Sequence, residues 1–597
     1  MKLSDYIVGQ LADWGVRHIF LVTGGGAMHL NDSIGKEPRI HYICNHHEQA
    51  SAMAAEAYAR ISGQPGVINV TTGPGGINAL NGVFGAWTDS IPMLVVSGQV
   101  KRETCMRAQG ITGLRQLGDQ EIDIVAMIAN ITKYAVMIDD PLSIRYHLER
   151  AWHLAKSGRP GPCWLDIPVD VQSAQVDKAT LRAYDPAEDA PLWSEPEVRK
   201  QCSQVLERIR AAKRPVILAG TGVRVADALD EFHQLVEKLQ IPVTTAWTHD
   251  LIASNDKLFC GRPGTIGDRA GNFTVQNADL VLVLGSRLNV RQVSYNWQSF
   301  APRAFKIQVD IDASELHKPL VRPDLAINSD LKFFLKELAA ASDRSTYAPR
   351  HQQWLEWCRE RVARYPVMKD HQRKSVSPLD PYQFMEQLSS LLAEDDVVIC
   401  GDATACIVTF QVMQIRKGQR LISNSGSASM GYDLPAAVGA AVARNGARVI
   451  CMAGDGSLQL NIQELQTIKH HQLPVKLFVL NNGGYLSMRA TQSNFFGRFT
   501  GAGPSSGVSF PDFVKVGCAY GIPSVRIARA ADMPQVQAAL DQPGPALIEV
   551  MLDPKQEFEP RTKSKQMPDG KIVTPPLEDM YPFLDADELA SNIIKDN

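Results

Sequence analysis

The pattern that most constrains this chain is an apolar run, a glycine turn containing an acid, a helical stretch, and a second apolar run ending in paired asparagines. Ala447-Arg448-Val449-Ile450-Cys451-Met452-Ala453 reads as a buried strand that stops at Gly454-Asp455-Gly456. From Ser457 to His471 the spacing predicts a helix, with Leu458, Ile462, Leu465 and Ile468 on one face. Pro474 to Leu480 is the next strand, and Asn481-Asn482 sit at its carboxyl edge. Such a unit belongs to an open parallel sheet, whose ligands bind at the carboxyl ends of strands. It holds an acid at one strand tip and an amide at the next. Asp455 and Asn482 are hard oxygen donors that suit Mg²⁺ or Ca²⁺ carried by a diphosphate. Gly454 and Gly456 let the backbone N–H groups of the helix start, Ser457 included, approach the phosphates. A glycine turn alone is ordinary punctuation; the paired asparagines after the next strand argue for a ligand.

A second half-site lies near the N-terminus. His46-His47-Glu48-Gln49-Ala50 precedes a strong helix former, Ser51 to Ile61. Gly66 to Thr72 reads as a strand, Thr72 to Asn78 as a loop, and Ile91 to Gly98 as another strand. Taken alone, Glu48 is an acid that complements a helix dipole. Together with Asp455 and Asn482, 27 positions apart, the pattern resembles the thiamine-diphosphate (ThDP) enzymes. His47-Glu48-Gln49-Ala50, Ala57-Tyr58-Ala59-Arg60, Thr72 to Gly76, and Ile91-Pro92-Met93-Leu94 before Ser97-Gly98-Gln99 are similar to the pyrimidine-binding domain of acetolactate synthase (acetohydroxyacid synthase). The resemblance runs to roughly residue 560. It implies that Glu48 hydrogen-bonds the aminopyrimidine ring and promotes loss of the thiazolium proton, work for which burial can tune a carboxyl group. It implies cofactor contacts from Gly25, Gly26, Thr72, Gly73 and Asn78, and a catalytic Gln120. Met430, in Ser425 to Tyr432, matches the apolar wedge that bends the cofactor; otherwise it is a core filler. The implied metal is Mg²⁺, held by Asp455, Asn482 and the backbone carbonyl of Gly484.

A chain of 597 residues is too long for one core, and three domains fit. The expected fold class is α/β, with three doubly wound parallel-sheet domains. Residues 1–180 would bind the pyrimidine, 197–342 form a central Rossmann-like unit, and 375–560 bind the diphosphate, followed by a tail over 561–597. The stretch Asp177 to Pro196 reads as a linker, and residues 343–374 as a charged helical connector. The tail is expected to fold over the site or to extend along the surface. Sixty-one Lys and Arg against 64 Asp and Glu imply no nucleic-acid partner and no membrane surface. Ten cysteines without a CxxC pair argue against zinc and a disulfide scaffold, and Cys400 and Cys451 lie in apolar runs. With no signal peptide or membrane-length apolar run in view, the cytoplasm is the expected location. In the resembling family the first and third domains meet across a subunit interface, which implies a homo-oligomer.

Acetolactate synthases also hold FAD in the middle domain. Gly220-Thr221-Gly222, Gly285-Ser286-Arg287, Asp310 and Arg159 resemble that site. Glycine turns also occur in Rossmann-like units without a ligand, and Trp247, Ile266 and Asn289-Val290 depart from the family pattern, so FAD and an empty unit both stand. The resemblance implies that pyruvate gives hydroxyethyl-ThDP, whose two-carbon unit passes to a keto acceptor. Arg291 matches the acceptor-binding arginine, whose fork suits a carboxylate. The family's acceptor tryptophan is replaced by Thr491, its methionine by Ser487, a Phe by Asp119 and a Lys by Val169, which implies a more polar, roomier pocket. His29 is either an acid/base near the reacting carbon or a structural loop residue. The alternatives are transfer to a keto-sugar nucleotide, a ThDP decarboxylase or C–C hydrolase, a flavin-dependent pyruvate oxidase, and a non-catalytic ThDP-fold binder. Retention of Glu48, Asp455 and Asn482 weighs against the last.

Overall fold

The computed structural model describes residues 1–595 apart from 247–249 and 348. Trp247 therefore lies outside the described residues. The first sheet contains β1 (His18–Leu21), β2 (His41–Cys44), β3 (Gly66–Val70), β4 (Met93–Gln99), β5 (Tyr134–Met137) and β6 (Pro162–Pro168). The second contains β7 (Pro215–Ala219), β8 (Val243–Thr245), β9 (Leu280–Leu284), β10 (Phe305–Asp310) and β11 (Leu325–Asn328). The third contains β12 (Val397–Cys400), β13 (Arg420–Ile422), β14 (Val449–Gly454), β15 (Val475–Asn481), β16 (Ser524–Ile527) and β17 (Ala546–Met551). Pairing is parallel throughout these three sheets. The α/β fold class expected from sequence is the observed one.

Their orders are β2-β1-β3-β4-β6-β5, β11-β10-β9-β7-β8 and β13-β12-β14-β15-β17-β16. Counted within each sheet, the first and third have the same order, and all three place strand one between two and three. Connections therefore leave strand one in opposite directions, and the crevice between strands one and three is the ligand-binding switch point of an open α/β sheet. Alternate residues serve opposite faces. Ile19 and Leu21 of β1 enter one core while Phe20 enters another. Ile399 and Cys451 of the third sheet share Phe20's core, whereas Val398 and Ile450 face the opposite way. One core is thus common to the first and third sheets. Cys400 and Cys451 are both buried in the third sheet's strands.

The shared core is built by two helices, Glu48–Ser62 and Asp433–Ala443, each following the second strand of its sheet. Both are rich in alanine, so they approach closely. A Cβ on Gly439 would lie 1.9 Å from the Ala54 carbonyl oxygen. His47 caps the first helix by accepting from the Gln49 N–H at 3.0 Å, and Gly63, at φ +70°, ends it.

Two sequence readings change. Thr72 to Asn78 is not all loop, because Pro74 begins a helix that runs to Thr88. Proline at the first helical position loses no hydrogen bond, and Gly73 at φ +60° makes the turn into it. The single helix read from Ser457 to His471 is two, Asp455–Leu458 and Glu464–His470. Leu458, Leu465 and Ile468 still reach one core, so burial keeps the apolar face although the backbone is interrupted. The connector contains the helices Arg344–Tyr347, Gln352–Arg364 and Asp370–Arg373. Among the described residues no helix is long and apolar enough to cross a membrane.

Candidate active site

Most of the residues singled out in the sequence as cofactor contacts lie at the three switch points, whereas Arg291, Ser487 and Thr491 lie elsewhere. Gly25 and Gly26 follow β1, and Thr72 and Gly73 follow β3. A Cβ on Gly26 would fall 1.9 Å from Thr72 Oγ1, so only glycine permits this approach. That hydroxyl is buried without a hydrogen-bond partner, which suits a site whose ligand supplies the partner. A Cβ on Gly73 would lie 2.0 Å from the Gln120 carbonyl oxygen, which brings the Gln120 backbone to the same turn. Glu48 is 8% exposed. Its Oε2 accepts from Asn78 Nδ2 at 3.0 Å. Its Oε1 faces Gly75, where a Cβ would stand 3.3 Å away. Asn78 thus orients the acid directly, a link that reading Thr72 to Asn78 as loop had hidden. His29 lies on the helix Met28–Lys36, partly exposed.

At the third sheet's switch point, Asp455 follows β14. Its Oδ1 accepts from the Gly456 N–H at 2.8 Å and its Oδ2 from the Gly484 N–H at 3.0 Å. Burial raises this carboxyl to about 6 against the backbone donors. Asn482, 6% exposed, donates to Thr404 Oγ1 at 3.3 Å. A buried carboxylate beside an amide, with no ion-pair partner among the described residues, fits a divalent cation. Ser457 Oγ donates to Asp433 Oδ2 at 2.5 Å and accepts from the Gly431 N–H at 2.8 Å. Its hydroxyl is therefore engaged within the protein, and its backbone N–H is what remains for a phosphate. Met430 is partly buried in the loop before the helix at Asp433, where Ser429 Oγ donates to Asn81 Oδ1 at 2.9 Å.

The second sheet's switch point opens into a cavity of about 420 Å³ lined by Arg159, Gly220, Gly222, Gly285, Arg287 and Asp310. Gly220 and Gly222 pack so tightly on Gly285 that any Cβ would strike its backbone. Arg159 is held by Asp312 at 2.9 Å and Glu315 at 3.0 Å. Arg287 makes no ion pair or hydrogen bond among the described residues, and burial raises the Asp310 carboxyl to about 6. Two family departures resolve locally. Asn289 caps a short helix by accepting from the Gln292 N–H at 3.1 Å. Ile266, read as a flavin neighbour, lines a different cavity, because its backbone carbonyl is tied to Gln411 Nε2 at 3.0 Å.

That second cavity measures about 910 Å³ and lies between the second and third sheets. Arg291, Asn482, Ser487 and Thr491 line it, as do Phe558 to Ser564 in part and Thr574. Part of the tail therefore forms a wall of this cavity. Sequence reading missed Asp402 here. It follows β12 as Asp455 follows β14, and Gly401-Asp402 after an apolar run was the signal. Burial raises its carboxyl, with Arg291 the cation that opposes the rise. Ala403 beside it holds φ +53°, a conformation costly for a residue with a Cβ.

Models of three domains match this chain: "Thiamine pyrophosphate enzyme, N-terminal TPP binding domain" over residues 1–127, the central domain over 202–338, and the C-terminal TPP binding domain over 401–550. The acetolactate synthase isozyme 1 large subunit of Escherichia coli K12 is 31% identical, covering 93% of this chain and 95% of the relative. The large subunit from Lactococcus lactis is 30% identical over 93% of each. Acetolactate synthase 2 of Zea mays is 32% identical, over 93% of this chain and 86% of the relative. Three matching domain models and relatives of 30% identity or more over nine tenths of the chain show that it belongs to the thiamine pyrophosphate enzymes, in the family of the acetolactate synthase large subunits.

Proposed function

We propose that this protein is a ThDP- and Mg²⁺-dependent carboligase that decarboxylates pyruvate and transfers the two-carbon unit to a keto acceptor. The observation that carries the reading is Asn78's hydrogen bond to Glu48 at one switch point and, at its counterpart, the buried Asp455 and Asn482 at the ends of neighbouring strands. When bound, ThDP supplies the carbon nucleophile and the electron sink for decarboxylation. Asp455, Asn482 and the Gly484 carbonyl would hold the metal. Gly454, Gly456 and the Ser457 N–H would approach the diphosphate. Gly25, Gly26, Thr72 and Gly73 would line the ring end, with Met430 as the apolar support. Glu48 holds and moves a proton at Oε1, while Asn78 fixes Oε2. Gln120 and His29 stand as polar groups for the reacting end. Arg291 and Thr491 face the acceptor, and Arg291, exposed and without an ion-pair partner among the described residues, can grip an anion.

FAD is proposed for the second sheet's cavity. Asp310 at a strand end, the unpaired Arg287 and the close-packed glycine backbones are a donor set that suits a dinucleotide. Two chains are proposed to complete each site. Glu48 does not line the cavity that Asn482 lines, and large apolar side chains stand exposed beside both half-sites, Met28 at 54% two residues after Gly26 and Phe499 at 47% on the wall of that cavity. The test is to supply ¹³C-pyruvate with ThDP, Mg²⁺ and a panel of keto acceptors. Labelled CO₂ and an acetyl group joined to the acceptor are expected. Acetaldehyde or acetate as the sole product would replace ligation by decarboxylation or oxidation.

A further inference from the structure

We infer that the acceptor is a polyhydroxylated ketone carrying a phosphate ester, and that the C-terminal segment reads the phosphate. This deepens the function proposed above and rests on it. The cavity of about 910 Å³ lies near the top of the roughly 300–1,000 Å³ range of pockets that enclose drug-sized ligands. Asn482 lines it, so the metal end of the cofactor would take part of this space, and the remainder, toward Arg291 and the C-terminal segment, suits a larger, hydroxylated body better than a three-carbon keto acid.

Charge and hydrogen bonding give the chemistry. Arg291, Lys555 and Lys563 line the cavity, and none is in salt-bridge contact with a carboxylate among the described residues, Asp402 being the acid within Arg291's electrostatic reach. Lys563 Nζ lies 4.4 Å from the centre of the Tyr581 ring, which steadies the ammonium while leaving its N–H donors available. The acids on the same wall leave two of these cations unmatched. Glu557 is paired with Arg561 at 2.8 Å and Asp402 faces Arg291, so Lys555 and Lys563 stand without a matching acid. A dianionic phosphate monoester meets such a cluster better than a single carboxylate does. The neutral wall suits hydroxyl groups. Thr265 Oγ1, Thr562 Oγ1 and Gln556 Oε1 are buried without hydrogen-bond partners, and Thr265 and Thr562 are joined by a backbone bond of 2.7 Å. Lys563 is the next residue after this joint, so the segment that closes the cavity also carries the cation.

The reaction balances without an oxidant. The C1–C2 bond of pyruvate breaks and CO₂ leaves. C2 bonds to the acceptor carbonyl carbon, whose oxygen takes up a proton, and C2 becomes the carbonyl of an acetyl group. The product is a branched, phosphorylated hydroxyketone.

The test compares matched acceptors with the ThDP–Mg²⁺ enzyme and ¹³C-pyruvate. The pairs are dihydroxyacetone phosphate with dihydroxyacetone, and fructose 6-phosphate with fructose. A nucleotide-diphosphate 4-ketohexose forms a third arm, and pyruvate is the reference acceptor. The phosphorylated member should be preferred in kcat/KM by about tenfold or more, and Lys563→Ala should remove about tenfold of that preference. Lys563→Arg should retain it. Use of the nucleotide sugar alone, whose phosphates are not monoesters, would overturn the inference and leave the proposed function standing. CO₂ release with equal use of phosphorylated and neutral acceptors, or of pyruvate alone, would overturn the inference and leave the proposed function standing. Absence of cofactor-dependent CO₂ release would instead overturn that function. Calorimetry of fructose 6-phosphate binding then still reads the site: binding weakened about tenfold by Lys563→Ala supports it, and equal binding overturns it.

Discussion

At the scale of single residues, the chemistry depends on where each carboxyl group can keep or lose a proton. Glu48 is nearly buried, fixed at one oxygen by Asn78 and open at the other. Glu48→Gln preserves the shape and the Asn78 contact but cannot move a proton. Loss of a positioned acid–base group costs about 10²–10⁴ in rate. The variant should fold and bind ThDP yet exchange the thiazolium proton slower by that factor, read by NMR after deuterium quench. Wild-type exchange would refute the role. Asp166 offers a test of stability instead. It is buried at the end of β6, accepting from Ser97 Oγ at 2.6 Å and Gln99 Nε2 at 3.0 Å, and desolvation raises it from 3.8 to about 7. The folded state therefore binds this proton more tightly than the unfolded chain does. Its stabilising contribution is complete below the unfolded value and is lost as pH rises through about 7. Asp166→Asn removes the titration. The variant's thermal midpoint relative to wild type should rise between about pH 5 and about pH 8. Parallel profiles would show that the carboxyl does not titrate there. The sequence exposed Glu48, Asp455 and Asn482 because each ends or begins a periodic segment. It hid Asn78's hold on Glu48 and the depth of Asp402, since both depend on contacts across a fold.

At the scale of elements, two alanine-rich helices at the centre, Glu48–Ser62 and Asp433–Ala443, determine how the first and third sheets meet. Gly439 is the closest point. Replacing it with alanine would gain roughly 1 kcal/mol of helix propensity. The new methyl, however, would meet the Ala54 backbone oxygen at 1.9 Å, and a backbone cannot rotate away as a side chain can. Overpacking of this kind costs about 1–3 kcal/mol or more. The clash should win, so Gly439→Ala should lower the unfolding midpoint in urea, and an unchanged or higher midpoint would contradict the close approach. Element type was legible wherever period and length agreed, as in β14 and β15. It failed at Pro74, where glycine-rich composition looks like loop, although proline after a left-handed glycine starts a helix. It also failed across Gln459–Gln463, where the apolar face continues through a break that periodicity alone does not detect.

At the scale of the whole molecule, the matching order of the first and third sheets gives each chain two comparable switch points, one carrying Glu48 and the other Asp455. The alternation of elements made three parallel sheets legible, but not the repeated order, because strand adjacency is set by packing between distant segments. The same geometry carries a prediction about assembly. Glu48 is absent from the cavity that Asn482 lines, and exposed apolar side chains flank both half-sites. If each site takes Glu48 from one chain and Asp455 from its partner, Glu48→Gln and Asp455→Ala chains are each inactive alone. In a mixed dimer both lesions fall in one site, and the other site is intact. Random reassortment makes about half of the dimers mixed, each with one working site of two, so the mixture should recover about a quarter of wild-type activity. The measurement is pyruvate-dependent CO₂ release after the two variants are unfolded together, refolded and supplied with ThDP and Mg²⁺, with each variant refolded alone as control. Recovery near a quarter would require sites shared between chains. Mixtures no more active than the controls, although size analysis shows mixed dimers, would place Glu48 and Asp455 of each site in the same chain.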